Sequence, residues 1–156
     1  MANEVVRQVR EIRRTVVLLD GDAVREMFGN DLGHTMEDRR TNAQRICQFG
    51  RFLEDQGIDV VCAILSLFPE TRAWNRQHLK NYYEVFIDTP MPDLVRRDPK
   101  GIYRRFNNGE IRDVAGMDIE FPQPWNADLT IGNIGSEEQL LAYAKGIAQK
   151  ITGGAE

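Results

Sequence analysis

A run of β-branched and aliphatic residues, Thr15-Val16-Val17-Leu18-Leu19, is broken at once by Asp20-Gly21-Asp22. An unbroken apolar strand has no polar face to give to water, so it must be covered on both sides, as in a parallel sheet. The segments Ile58–Ile64, Tyr83–Ile87 and Asp128–Ile131 read as further strands, the first ending near Ser66 and the second at Asp88-Thr89-Pro90. Between them lie stretches of helical period. Residues 3 to 14 place Val5, Val6, Val9 and Ile12 on one face, with Arg7, Arg10, Arg13 and Arg14 between them. Thr35 caps a helix to Gln56 with Ile46, Phe49, Gly50 and Leu53 inward, Pro69 opens one to about Lys80, and Ser136 with Gln139 caps a closing helix through about Ile151. Strand and helix alternate, which predicts an α/β fold: a mostly parallel sheet between two helical layers.

The 156 residues make one domain, 1–156. Segment 98–127 is charged, contains glycine and has little period, so it is expected to be a lid. The net charge of −4 argues against a non-specific nucleic-acid binder. No apolar run is long enough to span a membrane, and charges interrupt residues 1–20 too often for a secretion signal, so the cytoplasm is the expected location. Cys47 and Cys62 are expected to be buried, reduced thiols, and His34 and His78 lack metal-site spacing.

In an open parallel sheet, ligands bind beyond the carboxyl ends of the strands. Polar residues stand at three such ends: Asp20-Gly21-Asp22 with Arg25, Ser66, and Asp88-Thr89. Paired carboxylates can hold Mg²⁺ through water or orient a hydroxyl, and the alternative is an Asp-Gly turn that caps a helix. Arg39, Arg40, Asn42 and Arg45 share one helix, where arginine either grips phosphate or sulfate oxygens or faces solvent. Arg96, Arg97, Lys100, Arg104, Arg105 and Arg112 gather cations around the lid, as phosphoryl transfer requires.

Leu18–Arg25, Asn30-Asp31-Leu32-Gly33, Glu37-Asp38-Arg39 with Asn42, and Asp98–Tyr103 with Gly109-Glu110-Ile111 together resemble the adenylylsulfate kinase family, from about residue 4 to about residue 133. The resemblance implies a P-loop kinase fold, a homodimer, and transfer of the γ-phosphoryl of MgATP to the 3′-hydroxyl of adenylylsulfate in sulfate assimilation. By match, Asp20 and Asp22 would sit at the reacting hydroxyl, with Asp22 at the metal. Arg25, Arg39, Asn42 and Arg72 would bind the acceptor. Lys100 would close over both substrates, with Arg97 and Arg104 on the ATP and lid side. Ser66 matches a serine assigned in the family as a phosphoserine intermediate, although direct in-line transfer needs none.

Three departures stand out. No Gly-x-x-x-x-Gly-Lys-Ser/Thr occurs, and the family places this loop just before the helix that opens here at Ala2-Asn3-Glu4. The expectation is a chain that starts just after the loop, lacking the fold's first strand, a central one, and leaving two strand edges unpaired. His34 and Val114 occupy positions where the family carries phenylalanines that sandwich the acceptor's adenine. Ser66-Leu67-Phe68-Pro69 replaces the family's Ser-Pro-Tyr/Phe-Arg, with Arg72 nearby. Val60–Ser66 and Asp118–Pro122 resemble a branch found with capsule-modification enzymes, some of which phosphorylate cytidine diphosphoramidate. Adenylylsulfate is therefore the family-level expectation for the acceptor. A cytidine nucleotide and a non-catalytic remnant are the alternatives.

Overall fold

The computed structural model describes residues 1–12 and 15–153, so the expected helical positions Arg13 and Arg14 lie outside the described residues. In chain order the elements are α1 (Ala2–Glu11), β1 (Val16–Asp20), α2 (Gly21–Met27), α3 (Met36–Asp55), β2 (Asp59–Ala63), α4 (Pro69–His78), β3 (Val85–Asp88), α5 (Met91–Arg97), α6 (Ile102–Asn107), β4 (Leu129–Gly132), α7 (Glu137–Leu141) and α8 (Ala144–Thr152). All strand pairing among the named strands is parallel. It forms two separate pairs, β1 with β2 from Val16 opposite Asp59 and β3 with β4 from Val85 opposite Leu129. The two pairs share no ladder, so each described strand has a partner on one side only.

A single apolar cluster ties the pairs together. Val5, Val6 and Val9 of α1 and Ala144, Ile147 and Ala148 of α8 pack with Val16 and Ile131, against Leu18, Val61, Val85 and Leu129. The other face of β1 turns Leu19 into a second cluster with Val24 of α2 and Ile46 and Leu53 of α3, joined by Val17 and Val60. β1 is thus covered on both faces, as its unbroken apolar run demands.

Three details differ from the sequence reading. The closing helix is two helices, α7 and α8, with Ala142 and Tyr143 between them; the Ser136–Gln139 capping box is as expected. Segment 98–127 contains α6 and a closed turn in which the Val114 carbonyl accepts the N–H groups of Met117, Asp118 and Ile119. Cys47 is buried and free, whereas Cys62 is free but exposed, because β2 has only β1 beside it and lies at an edge.

Candidate active site

The carboxyl ends of the strands collect the polar residues that the sequence singled out, and the structure gives them different work. Asp20 caps α2: its Oδ1 accepts the backbone N–H groups of Asp22 at 2.9 Å and Ala23 at 3.3 Å. Asp22 in the first turn keeps its carboxylate free of such bonds. Its Oδ2 instead accepts from Lys100 Nζ at 2.9 Å, across 78 residues, which brings the start of segment 98–127 to α2.

That pair is exposed, and its behaviour with pH follows from the sign of its shifts. The Lys100 hydrogen bond holds the Asp22 carboxyl below 3.8, so the pairing is present above that value and is lost as pH falls through the lowered pKa. The Asp22 bond raises Lys100 above 10.5, so the pairing is lost only as pH rises beyond that. Carboxyl-carbon NMR of Asp22 is expected to show no inflection between pH 4 and 10; an inflection near neutrality would contradict the pairing. An ionised Asp22 can orient a hydroxyl or hold a metal through water. With Asp20 spent on its cap, it is the freer of the two carboxylates. The cation already at its Oδ2 shows that the position suits positive charge, and no group of three metal-ligating side chains occurs among the described residues.

The cations of α3 separate cleanly. Arg40 pairs with Glu70 and lies over the Phe68 ring at 4.4 Å, and Arg45 makes two 2.7 Å bonds to Asp31, so both are neutralised surface residues. Arg39 has no carboxylate partner. Its Nε donates to the His34 carbonyl and its Nη2 to the Asp113 carbonyl, both at 2.9 Å. Arg25 likewise bonds only carbonyls, with Nη1 on Gly33 at 2.7 Å. Burial, and then the neighbouring Arg25, push the Arg39 pKa down. Two neighbouring guanidinium groups that bond to carbonyls and form no direct ion pair among the described residues can take an anion. One turn along α3, Asn42 is 5% exposed; its Nδ2 reaches the Gly21 carbonyl at 3.5 Å, and its Oδ1 is buried without a partner. A buried orphan acceptor one turn along α3 from Arg39 suits a ligand that brings both an anion and a donor.

Arg72, an expected acceptor contact, is held within the protein. It is 7% exposed, and its guanidinium donates to the carbonyls of Ser66 at 2.7 Å and Pro122 at 2.9 Å, with Glu84 at 3.7 Å. It ties the loop after β2 to the returning arm of the lid. His34 is exposed, whereas Val114 is buried, at 7% exposure. Arg97 Nη2 donates to the Asn133 carbonyl at 3.1 Å, beside a cleft of about 430 Å³ that it lines with Arg96 and Asn133. Arg104 gives its backbone N–H to the Asp98 carboxylate at 3.0 Å. Sequence reasoning missed Asn133, whose Nδ2 joins the ends of β3 and β4 through Thr89 Oγ1 at 2.9 Å. The rule that flagged three strand ends applies equally to the fourth.

A parallel α/β fold with acid, arginine and lysine near the strand ends suits a phosphotransferase that handles a nucleotide. The family model described as adenylylsulphate kinase matches residues 1–132, and the chain belongs to that family. It is 43% identical over 120 residues to the cytidine diphosphoramidate kinase of Campylobacter jejuni subsp. jejuni, covering 77% of this chain and 69% of that one. It is 34% identical over 132 residues to the adenylyl-sulfate kinase of Pseudomonas aeruginosa, covering 83% of this chain and 67% of that one. Its fold is similar to the structure of the Mycobacterium tuberculosis APS kinase CysC in complex with AMPPNP and APS, with a TM-score of 0.85, 34% identity, and coverage of 97% of this chain and 88% of that one.

Proposed function

We propose that this kinase transfers the γ-phosphoryl of ATP to a hydroxyl of a small nucleotide whose tail is anionic, and that the acceptor is cytidine diphosphoramidate. The observation that carries the reading is the neighbouring Arg25 and Arg39 guanidiniums, held by carbonyls rather than direct ion pairs, with the orphan Asn42 Oδ1 one turn along α3 and Asp22 within the field of Arg25. In this reading the arginines hold the acceptor's charged tail, and Asp22 orients its hydroxyl. Lys100 closes over both substrates, with Arg97 and Arg104 toward ATP. Mg²⁺, held through Asp22 and the nucleotide phosphates, would supply charge neutralisation at the transferred group. Ser66 remains at the site's edge through its carbonyl bond to Arg72, and in-line transfer needs no covalent step on it. Homodimerisation and a cytoplasmic setting are part of the proposal on family membership alone.

The choice of acceptor rests on His34 and Val114. A purine sandwich needs two aromatic faces, and one position holds a packed aliphatic side chain. A pyrimidine asks less stacking area, and the 43% identical relative is named for a cytidine acceptor. Adenylylsulfate is the second reading, favoured by the family match and by the Pseudomonas aeruginosa relative.

The sequence carries no glycine-rich phosphate loop, so the chain as it stands is expected to bind ATP weakly and turn over little; a normal turnover rate would contradict this. With a strand and a glycine-rich phosphate loop fused ahead of Met1, kcat/KM for cytidine diphosphoramidate is expected to exceed that for adenylylsulfate by at least about tenfold, or about 1.4 kcal/mol. A preference for adenylylsulfate overturns the cytidine assignment and leaves the kinase reading in place.

A further inference from the structure

Arg39 brings charge to the proposed acceptor pocket, but its direction is set partly from outside that pocket. One of its two carbonyl partners, His34, immediately precedes the α3 cap residue Thr35, so that bond is local to the helix start. The other, Asp113, comes from 74 residues away in the lid. The Asp113 carbonyl points to Arg39 from a left-handed backbone, with φ at 62°. Outside glycine that conformation is uncommon, and where aspartate adopts it local hydrogen bonds hold it.

Asp118 supplies the support. Its Oδ2 accepts the Asp113 N–H at 2.9 Å and its Oδ1 accepts the Val114 N–H at 2.6 Å. The turn closes behind it, with Gly116 at φ 81° donating to the Ile119 carbonyl at 2.8 Å. One carboxylate therefore fixes two consecutive residues of the lid. The first gives Arg39 its carbonyl, and the second is Val114, which occupies a predicted acceptor contact.

The geometry points to Asp118 as a positioning residue for acceptor binding, acting through the Asp113–Val114 turn to hold the Arg39 guanidinium in place. It touches no substrate, and its role rests on the acceptor site proposed above. Removing it frees the left-handed turn to relax. The Asp113 carbonyl then leaves Arg39, whose fork loses one of its two anchors.

Calorimetric titration of the 156-residue chain with cytidine diphosphoramidate and with adenylylsulfate, paired with hydrogen exchange at the Asp113 and Val114 amides, tests this. Asp118→Ala is expected to raise the Kd about tenfold and to strip protection from both amides, since it removes two charge-assisted bonds. Asp118→Asn keeps a carbonyl acceptor and falls between. The decisive variant adds Asp113→Gly to Asp118→Ala. Glycine takes positive φ at no steric cost, so at least about threefold of the lost affinity returns while the amides stay unprotected. A general loss of folding would not be relieved by an added glycine. Wild-type affinity in Asp118→Ala, or a loss that Asp113→Gly does not relieve, overturns the assignment alone. Failure of the wild-type chain to bind either nucleotide overturns the acceptor reading, and this assignment with it.

Discussion

Replacing Glu84 by alanine is expected to lower the stability of the fold by about 3–5 kcal/mol, the usual cost of breaking a buried ion pair from one side. Glu84 is 8% exposed and stands just before β3. Its Oε2 meets Arg76 at 3.1 Å and its Oε1 lies 3.7 Å from Arg72. Arg76 also binds Asp128 at 3.0 Å, and the Asp128 carboxylate accepts the Glu84 N–H at 2.7 Å. Two guanidiniums from α4, one carboxylate from each side of the β3–β4 ladder, and the carbonyls of Ser66, Pro122 and Asn126 thus form one network. Alanine would leave Arg72 buried without its carboxylate. Thermal unfolding is the measurement, and at about 2–4 °C per kcal/mol the Tm falls by roughly 6–20 °C. Glu110→Ala is the control: its pair with Arg105 is half exposed on both sides, so a change within about 0.5 kcal/mol is expected. Equal effects from the two variants would show that the network has no special weight.

The second large effect is on binding. Arg39→Ala is expected to weaken acceptor binding about a hundredfold. A hydrogen bond to a charged group contributes about 1.5–3 kcal/mol, and every 1.4 kcal/mol is a factor of ten. The loss is larger than for a surface arginine because Arg39 forms no direct ion pair among the described residues and because it also bridges His34 to Asp113. Arg39→Lys keeps the charge but not the planar fork, so it recovers only part of the affinity. Arg45→Ala, beside it on the same helix, is expected to leave acceptor binding unchanged, since Arg45 is committed to Asp31.

The comparison of Arg39 with Arg45 shows what the sequence could carry. Helical spacing says which residues share a face of α3, as it does for Arg39 and Asn42. It says nothing of what lies across from them. Glu70 and Asp31, which neutralise Arg40 and Arg45, come from other elements, and only the fold reveals those pairings. Asp20 and Asp22 illustrate the same limit, since both the chemical and the capping readings fit Asp-Gly-Asp. The backbone separates them, with a helix cap at Asp20 and an ion pair with Lys100 at Asp22. Arg72 was legible as an arginine near Ser66 but not as a buried clamp, because its partners Pro122 and Glu84 are distant in the chain.

The fold was more legible than the site. Unbroken apolar runs with a two-sided burial requirement gave β1 and its parallel partner, and cap residues placed α3 and α7 within a residue of their observed starts. The break between α7 and α8 carries no glycine or proline at Ala142-Tyr143 to announce it. Asp113 in a left-handed conformation was equally silent, since its support comes from Asp118 five residues later.

The most direct test of the central claim is a calorimetric titration of the 156-residue chain with cytidine diphosphoramidate, alongside Arg39→Ala. The predicted result is one acceptor site per chain, weakened about a hundredfold by the substitution. Equal affinity in both proteins, or no binding to the wild-type chain, would contradict the account.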